Sequence, residues 1–84
     1  MELFNVYWTD MSGNSNNEMY NGTPSQVLAA ISRLTQGPAA RAGIVKSVIV
    51  TDKLDFTCYL WESGKVIIPV HSVLRKGKYV TQNK

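Results

Sequence analysis

The sequence predicts an α+β fold: a single small domain in which one α-helix packs on one face of a mostly antiparallel β-sheet of four to five strands, in the order ββαβββ. Three observations support this prediction. A capping sequence, TPSQ, introduces an apolar pattern of helical period, segments rich in β-branched and aromatic residues lie on both sides of it, and the chain of 84 residues has the length of one domain. We expect this domain to span residues 1–80 and a frayed basic end to occupy residues 81–84.

The first two segments predict a β-hairpin. ELFNVYWT (residues 2–9) alternates so that Phe4, Val6 and Trp8 share one face, and NEMYNG (residues 17–22) is long enough to return beside it. We therefore expect these three side chains to contact the helix and Tyr7 to lie on the opposite face.

The loop of this hairpin, DMSGNSNNE (residues 10–18), carries an oxygen-bearing side chain at every second position. Calcium loops of the EF-hand type use such a spacing. They also require a glycine at the sixth position and a bidentate glutamate at the twelfth, where this chain has Ser15 and Asn21. A turn explains the composition better, because Ser, Asn, Asp and Gly all favour turn geometry. We therefore expect no metal site here and an exposed loop in which Asn14 and Asn16 contact a partner.

The segment after the hairpin predicts one amphipathic helix over residues 24–36. Thr23 is the expected N-cap, Pro24 is the first helical residue, and Gln26 completes a capping box. Gly37 is expected to end the helix in a left-handed conformation, and Pro38 prevents continuation. The apolar stripe that should face the sheet comprises Val27, Leu28, Ile31 and Leu34.

Three further strands follow and predict a meander. IVKSVIVT (residues 44–51) is nearly continuous in apolar character, as expected of a central strand. LDFTCYLWE (residues 54–62) and KVIIPV (residues 65–70) are joined by ESGK, in which Ser63 and Gly64 suit a two-residue turn. Pro69 predicts that the last of these strands lies at an edge of the sheet or is ending, because a proline cannot donate to the strand ladder.

The alternation within residues 54–62 predicts which side chains reach the core. Successive side chains of a strand point to opposite faces, so the segment divides into two sets. The predicted core set is Leu54, Phe56, Cys58 and Leu60, and the outward set that faces away from the helix includes Tyr59 and Trp61. The helix should therefore contact Phe56 and Leu60 as well as the first strand.

The charge is divided unevenly along the chain. Four of the nine basic residues lie after Val70, where there is no acid, whereas the first 70 residues carry five basic and six acidic groups. Such a tail favours a polyanion or an acidic partner, although a basic terminal segment is more often only solvated. Its apolar residues are sufficient for docking on the sheet as far as Val80.

Several function classes have little support in the sequence. One cysteine and one histidine form neither a disulfide nor a zinc site, and a Cys58/His71 nucleophile pair would lack a third, orienting group. We therefore expect no cofactor and no enzymatic activity. No apolar run reaches the length of a membrane span and the N-terminus lacks the pattern of a signal peptide, so we expect a cytoplasmic location without membrane association.

The outward aromatic side chains favour a protein-binding function. Tyr59 and Trp61, joined by Tyr7, would form a platform that anchors a protein partner. We therefore predict a small non-enzymatic protein-binding module, such as an accessory or inhibitory protein of a phage or mobile element that binds a larger host protein. This expectation about origin depends only on the chain's size.

The sequence also leaves alternatives open for the same aromatic face. The first is single-stranded nucleic-acid binding, in which the aromatic rings stack on bases while Arg75, Lys76 and Lys78 contact phosphates. The second is that the C-terminal segment covers the face through Val73, Leu74 and Tyr79. The third is a homodimer formed on this face.

Overall fold

The computed structural model describes residues 2–70 and shows one five-stranded antiparallel sheet with a helix on one face. The strands are β1 (Phe4–Asp10), β2 (Ser15–Gly22), β3 (Val45–Asp52), β4 (Thr57–Glu62) and β5 (Lys65–Ile68), and the helices are α1 (Pro24–Gln36) and the single turn α2 (Pro38–Arg41). The strand order across the sheet is β2-β1-β3-β4-β5, with β3 at the centre. The predicted fold class and the order ββαβββ are confirmed. The predicted packing between Val70 and residue 80 and the predicted end at residues 81–84 lie outside the described residues.

Helix α1 begins and ends at the predicted residues. The Thr23 hydroxyl accepts a hydrogen bond from the Gln26 amide at 3.3 Å, and the Gln26 side chain accepts one from the Thr23 amide at 2.9 Å. The prediction for Gly37 is wrong, because its φ of −82° and ψ of −176° are extended rather than left-handed. Glycine is needed there for a different reason: a Cβ would lie 2.4 Å from the Arg33 carbonyl oxygen.

The hydrophobic core lies between α1 and the sheet. The buried helix residues are Val27, Ala30, Ile31 and Leu34, and they join a cluster that includes Phe4, Val6, Val48 and Val50. Trp8 packs against this cluster, so the predicted orientation of β1 is confirmed. The helix lies over β1, β2 and β3, and an ion pair between Arg33 and Glu18 links it to β2.

The predicted orientation of β4 is wrong. Trp61 lies opposite Val48 and Tyr59 lies opposite Val50, so both aromatic side chains share the helix face of the sheet. They are buried, with only 4% of Tyr59 and 8% of Trp61 exposed. The prediction that these two side chains face away from the helix is therefore corrected: they belong to the core.

A bulge explains why simple alternation failed in β4. Val50 pairs with Tyr59, whereas the next residue, Thr51, pairs with Thr57, which leaves Cys58 as an extra residue in the strand. Cys58 is buried as predicted. Leu60 pairs with Ile49 on the face opposite α1, so its predicted contact with the helix is wrong.

Leu54 and Phe56 are also not in the core. They lie in the turn between β3 and β4, where their side chains are 77% and 66% exposed. Four residues, 53–56, lie between the two strands, so β4 starts at Thr57, three residues later than the sequence predicts. The predicted contact between Phe56 and α1 is therefore wrong.

Strand β5 lies at an edge of the sheet, as Pro69 predicts. Ser63 and Gly64 form the predicted two-residue loop before it, with φ values of +51° and +87° that match the twist of a hairpin. All four residues of β5 are exposed. Val70, the last described residue, packs against the core.

Candidate functional site

The face of the sheet opposite α1, which we call the open face, carries a row of large side chains across four neighbouring strands. Tyr7 of β1 lies opposite Ile49 of β3, Ile49 lies opposite Leu60 of β4, and Leu60 lies opposite Ile68 of β5. Directly opposed side chains on one face of a sheet are close enough to pack on each other. The row therefore forms one continuous apolar strip.

Strand β2 extends this strip with a second tyrosine. The rings of Tyr7 and Tyr20 meet edge to face, with centroids 6.3 Å apart and an interplanar angle of 84°. This is a favourable geometry for aromatic pairs. Tyr20 is 65% exposed, so the pair presents a tyrosine hydroxyl and much of a ring to solvent.

The remaining side chains of the open face are mostly polar and uncharged. The positions that the register places beside the strip are Asn5, Thr9, Asn17, Ser47 and Thr51. Charged residues occur at one end, where Glu62 lies opposite Lys65. An apolar centre with tyrosines and without charge is typical of the central part of protein–protein interfaces.

The structure separates the residues that the sequence grouped into one site. Tyr7 lies on the open face, whereas Tyr59 and Trp61 are in the core and cannot contribute to it. Asn14 and Asn16 lie at the β1–β2 end of the sheet, where Asn14 bonds to Asp10 and the Asn16 amide donates to the Asn14 carbonyl oxygen at 3.4 Å. Arg75, Lys76 and Lys78 lie outside the described residues.

The strip residues that the sequence missed are Tyr20, Ile49, Leu60 and Ile68. A signal for Ile49 was present, because residues 47, 49 and 51 of β3 read Ser, Ile and Thr between the valines at 48 and 50. The polar residues Ser47 and Thr51 on either side of Ile49 indicate that this face of β3 is less completely buried than the face of Val48 and Val50. Leu60 could have been placed only with knowledge of the bulge at Cys58.

The loop that resembled a calcium site is a turn organised by Asp10. Its carboxylate accepts hydrogen bonds from the amides of Ser12 at 3.0 Å and Asn14 at 2.9 Å, and Gly13 adopts a positive φ of +89°. These bonds, first of all the one from the Asn14 amide, hold the pKa of Asp10 below its ordinary value of 3.8. Of the oxygen-bearing side chains that suggested a metal site, the Asp10 carboxylate therefore accepts hydrogen bonds within the turn, and the Glu18 carboxylate pairs with Arg33.

The titratable groups near the centre of the sheet are held in their neutral forms. Burial raises the pKa of the Cys58 thiol, and the negative charges of Asp52 and Glu2 raise it further. Burial also raises the pKa of the Tyr59 hydroxyl. A thiol that stays protonated is a poor nucleophile, so Cys58 acts as a small core residue.

Residues 2–70 contain no cluster of three or more His, Cys, Asp or Glu side chains that could hold a metal ion. None of the helices in this part of the chain is long and apolar enough to cross a membrane. No protein-family model, curated protein or solved structure matches the chain. The surface of the molecule is therefore the basis for inferring its function.

Proposed function

We propose that the protein is a small non-enzymatic protein-binding module whose open face contacts the partner. The observation that carries this proposal is the strip of Tyr7, Ile49, Leu60 and Ile68 on the side of the sheet that α1 leaves bare. The helix already covers the other face, so this strip is not needed to bury α1.

The composition of the open face supports a protein partner. Tyrosine is enriched at interfaces because its ring buries a large area while its hydroxyl stays hydrogen-bonded. Tyr7 and Tyr20 restrain each other through their edge-to-face contact, so little side-chain freedom remains to be lost on binding. We propose these two tyrosines and Ile49 as the central contact residues.

The nucleic-acid alternative has less support. Burial of Tyr59 and Trp61 removes two of the three aromatic rings on which bases would stack. The remaining ring, Tyr7, meets Tyr20 edge to face, and the strip around it carries no positive charge to contact phosphates. Strong attraction to a phosphate backbone requires such charges.

The proposal also covers where the protein acts and which kind of partner it binds. We propose a cytoplasmic location, and an accessory or inhibitory role against a larger host protein in a phage or mobile element. A small module of this kind would act by covering a surface of its partner rather than by chemistry.

The proposal is tested by capturing the partner from a lysate of the native host with wild type and two charge-matched variants. Ile49→Arg places a charge in the middle of the strip, and Ser32→Arg places the same charge on the exposed side of α1. We expect Ile49→Arg to reduce recovery of the partner by about tenfold or more, because replacing a residue at the centre of an interface has an effect of this size. Ser32→Arg should leave the recovery unchanged. Circular dichroism of both variants checks that the fold is retained. Equal recovery with all three chains would show that the open face is not the binding surface.

A further inference from the structure

The turn between β3 and β4, which we call the apolar turn (Asp52–Phe56), repeats the backbone geometry of the β1–β2 turn. The Asp52 carboxylate accepts hydrogen bonds from the amides of Leu54 at 2.9 Å and Phe56 at 3.0 Å, just as Asp10 does from Ser12 and Asn14. In both turns the fourth residue has a positive φ, +89° at Gly13 and +68° at Asp55. The two turns are therefore the same structure with different side chains.

This repetition shows that the turn does not require its apolar residues. The third and fifth positions are Ser12 and Asn14 in the β1–β2 turn, but they are Leu54 and Phe56 in the apolar turn. Leu54 and Phe56 are 77% and 66% exposed, so neither stabilises the core. Two large apolar side chains held on a rigid turn without a structural role indicate a contact surface.

The surroundings of the apolar turn are acidic. A groove beside the turn is lined by Glu2, Asp52, Lys53 and Leu54. Asp55 adds another exposed carboxylate, and the Lys53 ammonium group donates a hydrogen bond to the Asn21 side chain. A segment that carries apolar residues next to basic ones would fit this end of the sheet. Its apolar side chains would contact those of the turn, and its basic side chains would be attracted to the carboxylates.

The chain itself supplies such a segment at this end of the sheet. Strand β5 runs antiparallel to β4 and ends at Ile68, opposite Leu60, so it runs toward the end of the sheet at which β4 starts and the apolar turn lies. The 14 residues after Val70, HSVLRKGKYVTQNK, contain four basic residues and no acid, with Val73 and Leu74 immediately before Arg75 and Lys76. An extended chain spans roughly 3.3 Å per residue, so a few residues are enough to reach the turn from Val70.

We propose that residues 71–84 dock on the apolar turn and its acidic groove. Val73 and Leu74 contact Leu54 and Phe56, while the adjacent basic side chains lie near Glu2 and Asp55. This inference concerns a surface other than the open face and does not depend on the proposed function.

The test uses the full chain with a nitroxide label attached through Thr81→Cys, a change that leaves every charge of the segment in place. The native thiol, Cys58, is buried and its pKa is raised, so it stays unlabelled, and mass spectrometry verifies one label per chain. Amide signals of the ¹⁵N-labelled protein are compared before and after reduction of the nitroxide. The β1–β2 turn, at the opposite end of the sheet, is the internal control.

We expect the nitroxide to broaden the amide signals of residues 53–57 and to leave those of residues 10–14 sharp. Simple tethering near Val70 would also broaden the signals of residues 53–57. The same label is therefore placed in a Leu54→Ser/Phe56→Asn variant, which carries the side chains found at the matching positions of the β1–β2 turn. Docking predicts that this variant loses most of the broadening and that a matched Met11→Ser variant keeps it. Docking also predicts that the broadening is lost in 1 M salt, because the screening length there falls to about 3 Å and weakens the attraction between the basic and acidic side chains.

Two results would overturn the proposal. Equal broadening in wild type and in the Leu54→Ser/Phe56→Asn variant would show that tethering alone brings the label near the turn. A mixture of spin-labelled chains without ¹⁵N and unlabelled ¹⁵N chains tests a second copy as the occupant. If residues 53–57 are broadened as strongly in this mixture as in the chain that carries both labels, the segment docks on a second copy, and docking within one chain is excluded.

Discussion

At the scale of single residues, the side chains of β4 show the limit of reading a strand by alternation. The residues from Leu54 to Trp61 alternate well in the sequence, but this segment contains the last three residues of a turn and then a bulge. Each of these features changes the face on which the following side chains lie. The two largest side chains, Tyr59 and Trp61, are thereby buried, and Leu60 is placed on the open face.

This arrangement predicts losses of stability of different size when two side chains on opposite faces of the sheet are truncated. Trp61→Ala removes a buried aromatic side chain and should lower the free energy of unfolding by about 3–5 kcal/mol. Ile49→Ala removes a half-buried side chain from the open face and should lower it by only about 1 kcal/mol. Urea denaturation of both variants measures the two values. A small effect at Trp61 together with a large one at Ile49 would mean that the two faces of the sheet are exchanged.

At the scale of secondary-structure elements, α1 could be predicted to the residue and the strands could not. The signals for α1 are local: Thr23 and Gln26 bond to each other across one helical turn, and Pro38 prevents continuation. The strand ends depend on turns whose hydrogen bonds are not visible in composition. Asp10 and Asp52 organise turns of the same geometry, but the sequence predicts a loop of exposed polar residues around the first and assigns Leu54–Phe56 of the second to a strand.

The lowered pKa of Asp10 predicts a measurable dependence of stability on pH. A carboxyl group whose pKa is lower in the folded state stabilises the fold above its unfolded pKa, near 3.9, and this contribution is lost as the pH falls through the folded value. Asp10→Asn keeps an acceptor oxygen but cannot titrate. Its melting temperature should therefore fall less than that of wild type between neutral and strongly acidic pH.

The matched control for this pH series is Asp55→Asn, which removes one exposed carboxylate without removing a turn acceptor, since Asp52 has that role. Thermal unfolding followed by circular dichroism at several pH values gives the comparison. Parallel curves for wild type and Asp10→Asn would contradict the assignment of Asp10 as a charged turn acceptor. A reduced acid sensitivity in the control alone would contradict it as well.

At the scale of the whole molecule, the fold class followed from the sequence but the binding surface did not. The order ββαβββ requires only that each element is recognised, whereas the open face depends on which side of the sheet α1 covers and on the register of all five strands. The register is set by contacts between residues far apart in the chain. For this reason Tyr7 was predicted to be part of the site and Ile49, Leu60 and Ile68 were not.

The size of the open face limits how a partner can bind. Five strands spaced about 4.8 Å apart, each about six residues long, give a face of roughly 24 Å by 20 Å. A standard protein interface buries about 800 Å² on each partner, which exceeds this flat area. A stable complex would therefore also include side chains beyond the strip, such as those of the exposed edge strand β5 or of the β1–β2 turn.

The central claim, that the open face is the partner-binding surface, is tested most directly by site-specific photo-cross-linking in the native host. A photoreactive phenylalanine analogue replaces Tyr20 at the end of the strip in one chain and Ser32 on the exposed side of α1 in another. We predict a discrete cross-linked protein from position 20, lost when Ile49→Arg is added, and none from position 32. Cross-linking from position 32 without cross-linking from position 20 would contradict the claim.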